Sequence, residues 1–485
     1  MNTKRVEKDD LAHGPINIGF PFSDPPLDED LYKCVHCGFC LQACPTYIQT
    51  GLETESPRGR IALMKGVAEG RLSINNDVIE HWDMCIQCRA CEDVCPSGVP
   101  YGRLIEKTMA QVDKVRSVSL LGKAFRWLLL RKILPDQVLL SGLVGMLRMY
   151  QRMGLHRLLS TIKILHIIPG NVGSLHDSMP RIPDNFFAAS GQIYHAFGEP
   201  RAVVSLLSGC VMPLINGPEM RAAIRVLTRN GVNVLVPNEQ VCCGAIHSHL
   251  GDLEKARELA RSNIDVFLSE KIDAVLSLSA GCSTRMKEYR DLLQDDDKYN
   301  NRAKELTKKV KDINEFLYEL PIDPPRGHLK TTVTYQDPCH LAHTQKIRSQ
   351  PRELLKLIPG LTLIEMRNSD RCCGAGGSYV VTQHEMSLKL MEDKMNAIKE
   401  TDARIVTTAN PGCWMQMKQG SEILNSTLKV NYVTDLLDQS YEAEKRATEE
   451  DRSKISNDSL WEEERLELRS QWKNRGSDRR KRRNR

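Results

Sequence analysis

Sixteen cysteines fall into four sets of four, with none left over. Two sets are tight. Cys34, Cys37, Cys40 and Cys44 stand in the spacing C-x2-C-x2-C-x3-C-P, and Cys85, Cys88, Cys91 and Cys95 repeat it. Two sets are spread: Cys210, Cys242, Cys243 and Cys282, then Cys339, Cys372, Cys373 and Cys413. Thiolates gathered in fours are the donor set of a sulfur-liganded metal centre, and soft sulfur selects iron–sulfur clusters, zinc or Cu(I). The chemistry open to these residues is electron transfer or structural metal binding, and the complete pairing-off into fours points to the first.

The tight spacing is the one used by bacterial two-cluster ferredoxins. Three closely spaced thiolates wrap three irons of a cubane, and the fourth, followed by proline, is turned away to ligate the other cluster. Applied here, one [4Fe-4S] cluster takes Cys34, Cys37, Cys40 and Cys95. The second takes Cys85, Cys88, Cys91 and Cys44. Two structural zinc ions are the alternative, but zinc has no need of the triplet.

The spread sets belong to a repeat. Cys210 and Cys339 are 129 residues apart, Cys242 and Cys372 are 130 apart, and Cys282 and Cys413 are 131 apart. Each copy reads strand–helix–strand–helix–strand, with strands AVVSLL, NVLVP and DAVLSLS in the first and TTVTY, LTLIEM and RIVTT in the second. Apolar strands alternating with amphipathic helices predict a parallel α/β sheet in each copy and a duplication between them. Each cysteine follows a strand, and the carboxyl ends of parallel strands gather at one edge, where ligands bind. Gly244 and Gly374, directly after the Cys-Cys pairs, suit a turn where backbone closes on a metal or cluster. A vicinal disulfide or a pair of buried thiols is the other reading. His247, His249, His340 and His343 lie near these cysteines in sequence, fit for proton transfer, for support of a sulfur ligand or for a structural hydrogen bond.

These motifs set the organisation of the 485 residues. The expectation is an α+β multidomain chain. Residues 1–30 form an arm, 31–112 a helical two-cluster ferredoxin domain, and 113–200 a basic helical linker. Residues 201–325 and 326–440 are the two cysteine-rich α/β domains, and 441–485 a charged tail. Within the linker, residues 116–170 carry nine Lys or Arg and one acid, Asp136. Such amphipathic helices either pack on their neighbours or offer a basic, apolar surface to a membrane or partner subunit. The formal charge of +5 resides in residues 476–485, with six basic groups and one acid, leaving the remaining chain neutral. That distribution and an aromatic content of 5% argue against nucleic-acid binding. The tail reads as a solvated terminus. No stretch is long and apolar enough to span a bilayer, and the N-terminus lacks the apolar core of a signal peptide. A reducing cytoplasm is the expected compartment. No Walker loop, no GxGxxG after a strand and no GxSxG is present, so an organic redox cofactor must come from a partner.

The segments CVHCGFCLQACPTY, SPRGRI and CIQCRACEDVCPSGV, ahead of two cysteine-rich domains of CCG type, resemble the iron–sulfur subunit of glycolate oxidase (glycolate dehydrogenase). DPCHLAHTQ, CCGAGGSY, KMNAI and TTANPGC in the second copy strengthen the likeness, which spans roughly residues 30–440. The resemblance implies a flavoprotein partner that oxidises glycolate or another 2-hydroxy acid. Electrons then leave through this subunit toward a quinone or other acceptor, peripherally at the cytoplasmic face of a membrane. The same layout serves anaerobic glycerol-3-phosphate dehydrogenase, lactate oxidation and heterodisulfide reductase. The cysteine-rich domains of the last end in CxxC. Here the final motifs, Gly281-Cys282-Ser283-Thr284-Arg285 and Gly412-Cys413-Trp414-Met415-Gln416, hold one cysteine each. The spread sets are thus left open to zinc, a four-thiolate cubane or a non-cubane cluster.

Overall fold

Helix formation in the first hundred residues follows local rules. Ser56 accepts the Gly59 N–H at 3.0 Å and Pro57 occupies the first turn, starting the helix Pro57–Ala68. Asn75 does the same for Asn76–Asp83, accepting from Val78 at 3.0 Å. In Tyr101–Val115 the residues Leu104, Ile105, Thr108, Met109 and Val112 recur at helical spacing and are buried. These faces meet Leu31, Met64 and Trp82 in one core. Burying each such side chain is worth about 1.5–3 kcal/mol, and the cysteine loops hang from the helices so anchored.

The computed structural model describes residues 19–167, 172–177, 179, 182–446 and 467. The start of the arm and nearly all of the charged tail, with Trp461 and Trp472, lie outside the described residues. The chain divides into two compact units. The first comprises residues through Ser119 together with Ile246–Leu253, a segment from within the first spread repeat that carries His247 and His249. Gln87 donates to the His249 carbonyl at 2.9 Å. A side chain on Gly251, at φ +85°, would collide with the Met109 carbonyl. Both tight cysteine motifs, expected in a helical ferredoxin domain at residues 31–112, fall within this unit.

The second unit contains both sheets. The first holds β1 (Ile193–Tyr194), β2 (Ala202–Leu207), β3 (Val232–Leu235), β4 (Ala274–Ser277) and β5 (Val310–Asp312), in the order β1-β3-β2-β4-β5. All neighbours are parallel except the edge pair β1–β3. The second holds β6 (Thr331–Tyr335), β7 (Leu361–Leu363), β8 (Ile405–Thr408) and β9 (Lys429–Tyr432), all parallel, in the order β7-β6-β8-β9. The shared order β3-β2-β4-β5 and β7-β6-β8-β9 is the duplication made visible. Each copy has one parallel strand more than the three read from sequence, β5 and β9. Both are short and carry charged residues, VKD and KVNY, so they lack the apolar run that marks a buried strand. Apolar residues of both sheets and their helices join one core, from Val204 and Leu276 to Val333 and Tyr432.

The longer helices of the linker ahead of the first sheet are Leu120–Trp127, Gln137–Arg152 and Leu155–Ile162. Leu140 is the one buried residue among them. Leu120, Leu121, Phe125, Val138 and Met146 on these helices are exposed.

Candidate iron–sulfur and thiolate sites

None of the sixteen cysteines is joined in a disulfide. In the tight motifs the backbone on either side of the middle cysteine turns left-handed. His36 (φ 55°) and Gly38 (φ 88°) flank Cys37, and Gln87 (φ 56°) and Arg89 (φ 63°) flank Cys88. Non-glycine residues rarely hold that conformation, so three of them here mark a site rather than a relaxed loop. Alternation of hand makes a concave nest of backbone N–H groups, a form found around phosphates and iron–sulfur centres. Arg58 donates to the His36 carbonyl at 2.9 Å and Lys65 to the Cys34 carbonyl at 3.1 Å, which pins the first loop from outside.

Cys44 is buried and influences thiols of both motifs electrostatically. Burial pushes the Cys91 thiol well up, and Cys88, Glu92, Cys44 and Cys85 push it further. Those neighbours include the three other thiols assigned to the second cluster. Cys40 is pushed up to about 11, by burial first, with Cys34 and Cys44 adding to it. Thiols this basic become ligands only when a metal displaces their protons. Between Cys44 and Cys85 stands Arg60, 1% exposed. Its guanidinium bonds Glu55 Oε2 at 2.7 Å, Thr46 Oγ1 at 3.1 Å and the His81 carbonyl at 2.6 Å. Burial opposes its charge, but Tyr101, Cys85, Cys44 and Glu55 hold it firmly protonated. Thr46 Oγ1 also lies 3.3 Å from Cys44 Sγ, and Tyr101 donates to Cys85 Sγ at 3.6 Å.

In the second unit the carboxyl ends of β2, β3 and β4 deliver Cys210, Cys242 with Cys243, and Cys282, and those of β6, β7 and β8 deliver their counterparts. The structure brings each spread set together. Cys242 donates to Cys210 Sγ at 3.5 Å, and the Gly244 N–H points at Cys242 Sγ, also at 3.5 Å. Hydrogen bonds from Cys242 and Cys282, aided by the Ala245 N–H and the Arg285 charge, pull the Cys243 thiol well down against burial. In the second copy Cys372, Cys413, the Ala375 N–H and Lys394 do the same for Cys373. Arg285 and Lys394 are both buried. Gly244 (φ +84°) and Gly374 (φ +90°) take the left-handed turn that the sequence implied, Gly374 so tightly that a Cβ would lie 2.5 Å from the Ser387 carbonyl. Among the described residues, no three His, Cys, Asp or Glu side chains are arranged around a single metal ion. Four sulfurs, three of them buried in each set, with a cation and backbone N–H groups beside them fit an anionic iron–sulfur centre.

The histidines do different work. His343 Nε2 sits 3.0 Å from the Asp370 carbonyl, and His247 and His249 belong to the first unit. Sequence reading passed over Arg60, Tyr101, Arg285, Lys394 and Asn410. Arg60 lies inside the quoted SPRGRI, Arg285 ends the motif at Cys282, Lys394 opens KMNAI and Asn410 lies in TTANPGC, but their places beside the thiols are set by the fold.

Fold and thiol sets together define an iron–sulfur protein that joins a dicluster module to two cysteine-rich repeats. The 4Fe-4S dicluster domain model matches residues 30–99, and the cysteine-rich domain model matches 204–287 and 333–418. The model for the linker region of the glycolate oxidase iron–sulfur subunit matches residues 121–179. The probable glycolate oxidase iron–sulfur subunit of Bacillus subtilis is 38% identical over 418 residues, 85% of this chain and 94% of that one. The glycolate oxidase iron–sulfur subunit of Escherichia coli is 32% identical over 80% of this chain and 89% of its own. Lactate utilization protein A of Bacillus subtilis is 28% identical over 48% of this chain and 98% of its own. The chain belongs to the family of glycolate oxidase iron–sulfur subunits.

Proposed function

We propose that this chain is the electron-transfer subunit of a flavin-dependent glycolate (2-hydroxyacid) dehydrogenase, taking electrons from a partner flavoprotein and passing them to a quinone. The observation that carries this reading is the pair of C-x2-C-x2-C-x3-C-P motifs inside the dicluster-domain match, supported by similarity along nearly the whole length of the relatives. One [4Fe-4S] cluster would rest on Cys34, Cys37, Cys40 and Cys95, and another on Cys85, Cys88, Cys91 and Cys44. Such clusters supply one-electron storage. The chain's own part is to hold them: the left-handed nests receive the cluster, Arg60 balances its charge, and Tyr101 fixes Cys85. The spread sets would hold two further centres.

Clusters carry single electrons while alcohol oxidation releases two, so a flavin must divide the pair. The isolated protein should leave glycolate untouched. With the flavoprotein and glycolate added, its sulfur-to-iron absorption should bleach. Glycolate turnover by the chain alone would end this reading. Lactate is the second substrate to test, because the lactate utilization relative shares the layout over half of the chain.

Quinone reduction places the protein at a membrane surface, and the linker suits that position. Leu120 and Leu121 are each 85% exposed and Val138 is 79% exposed, on helices among nine basic residues and one acid. Lys132 lies over the Trp127 ring, a pairing suited to an interface. No described helix is long and apolar enough to cross a membrane. We therefore assign the linker to peripheral contact with anionic lipid on the cytoplasmic face.

A further inference from the structure

One side chain joins a thiol of one spread set to the turn that carries Cys282 of the other. Asn410 Nδ2 donates to Cys413 Sγ at 3.6 Å. Its Oδ1 accepts from the Gly281 N–H at 3.3 Å and from Ser279 Oγ at 3.3 Å. Ser279 Oγ in turn accepts the Cys282 N–H at 3.4 Å. Ser279 and Asn410 occupy the same position in the two copies, three residues before Cys282 and Cys413. The turns are stapled further by Ala280 N–H to the Ala409 carbonyl at 3.0 Å. On the other side, Thr284 Oγ1 meets the carbonyl of His340, next to Cys339, at 3.3 Å. Gln345 adds bonds to Ala280, Ser283 and Thr284. Tyr432 feels both Cys413 and Cys282.

We infer that the two spread sets work as one coupled pair, with Asn410 as the positioning residue between them. The inference rests on the proposed electron-transfer role. An electron passed between the sets oxidises one centre by one electron and reduces the other by one; no bond changes and no proton moves. Two adjacent centres hold two electrons together, the number a quinone needs to become a quinol, with two protons taken from solvent. Single electrons arriving one at a time would thereby be delivered as a pair.

The test uses the full chain purified without oxygen, with electron paramagnetic resonance of the fully reduced protein and a redox titration. Spin–spin splitting between the two spread-set centres is expected in the parent and should vanish in Cys413→Ser, leaving an isolated signal from the Cys210 set. Asn410→Ala should lower the midpoint potential of the Cys413 centre, because a hydrogen bond to sulfur is lost. It should also shift the Cys282 centre, because Gly281 and Ser279 lose their acceptor. Asn410→Asp keeps that acceptor but loses the donor to Cys413 Sγ, so the splitting should persist while the potential of the Cys413 centre stays lowered. Should Cys413→Ser fail to fold, the two Asn410 variants decide. Independent signals in the parent, or a shift confined to one centre in Asn410→Ala, would overturn the pair. Metal analysis showing zinc in either set also overturns it, yet leaves the eight ferredoxin cysteines and the electron-carrier reading standing.

Discussion

Removing the Arg60 side chain should cost stability and potential together, and a second substitution should separate the two. Arg60 and Glu55 form an ion pair at 2.7 Å, with side chains 1% and 6% exposed. Deleting one partner of so buried a pair leaves an uncompensated charge, at a cost of about 3–5 kcal/mol. That corresponds to roughly a hundredfold to a few thousandfold in the folding equilibrium, at about 1.4 kcal/mol per factor of ten. His81 Nδ1, 2.5 Å from Glu55 Oε1, offers partial compensation, so the lower end is expected. Arg60→Met should move the urea midpoint accordingly. Arg60→Met with Glu55→Gln should recover most of the loss, since a buried pair replaced as a pair is close to neutral. The potential should not recover. Arg60 lies beside Cys44 and Cys85, so losing its charge disfavours the added electron and lowers the potential of the cluster on Cys44, Cys85, Cys88 and Cys91. The Cys34 cluster should stay where it was. A stability loss below about 1 kcal/mol, the range of solvent-exposed pairs, would show that Arg60 and Glu55 are not sealed from water. An equal shift of both clusters would refute the crossed ligand sets.

Four further outcomes follow from other parts of the molecule. Cys95→Ser should destroy the cluster on Cys34, Cys37 and Cys40 while that on Cys85, Cys88 and Cys91 survives; iron analysis and resonance spectra of the variant distinguish this from loss of the nearer cluster. Burial, then Glu219, pushes the Asp435 carboxyl up to about 8. Its stabilising effect is full below the unfolded value near 4 and drains away as pH rises toward 8, at up to about 1.4 kcal/mol per pH unit. Asp435→Asn should flatten that slope in melting experiments, and an unchanged slope would exonerate the residue. Gly374→Ala should destabilise the second repeat by more than about 2 kcal/mol, combining a left-handed backbone with a 2.5 Å clash, whereas Gly51→Ala, with nothing near it, should cost about 1 kcal/mol. Co-sedimentation with phosphatidylserine-containing vesicles should fall as salt shortens the Debye length; equal, salt-insensitive binding to neutral vesicles would remove the electrostatic part of the linker proposal.

Much of this protein is written locally. The four cysteine sets, the duplication and the strands at 202–207 and 331–335 could be read directly, because ligand spacing and a run of apolar residues are properties of neighbouring positions. Gly244 and Gly374 were legible for the same reason: a turn after a Cys-Cys pair asks for a left-handed residue. Tertiary structure alone decided the rest. Arg60 is one arginine among many until folding seals it between Cys44 and Cys85, and Arg285 and Lys394 take equivalent places from unrelated positions in their repeats. Asn410 looks like an ordinary residue ahead of a proline, and its bond to the other repeat spans 129 residues. Ile246–Leu253, in sequence part of the first repeat, joins the N-terminal unit. The linker shows the limit most plainly. Helical periodicity reveals that an apolar face exists, but whether that face is covered depends on what the whole fold brings against it.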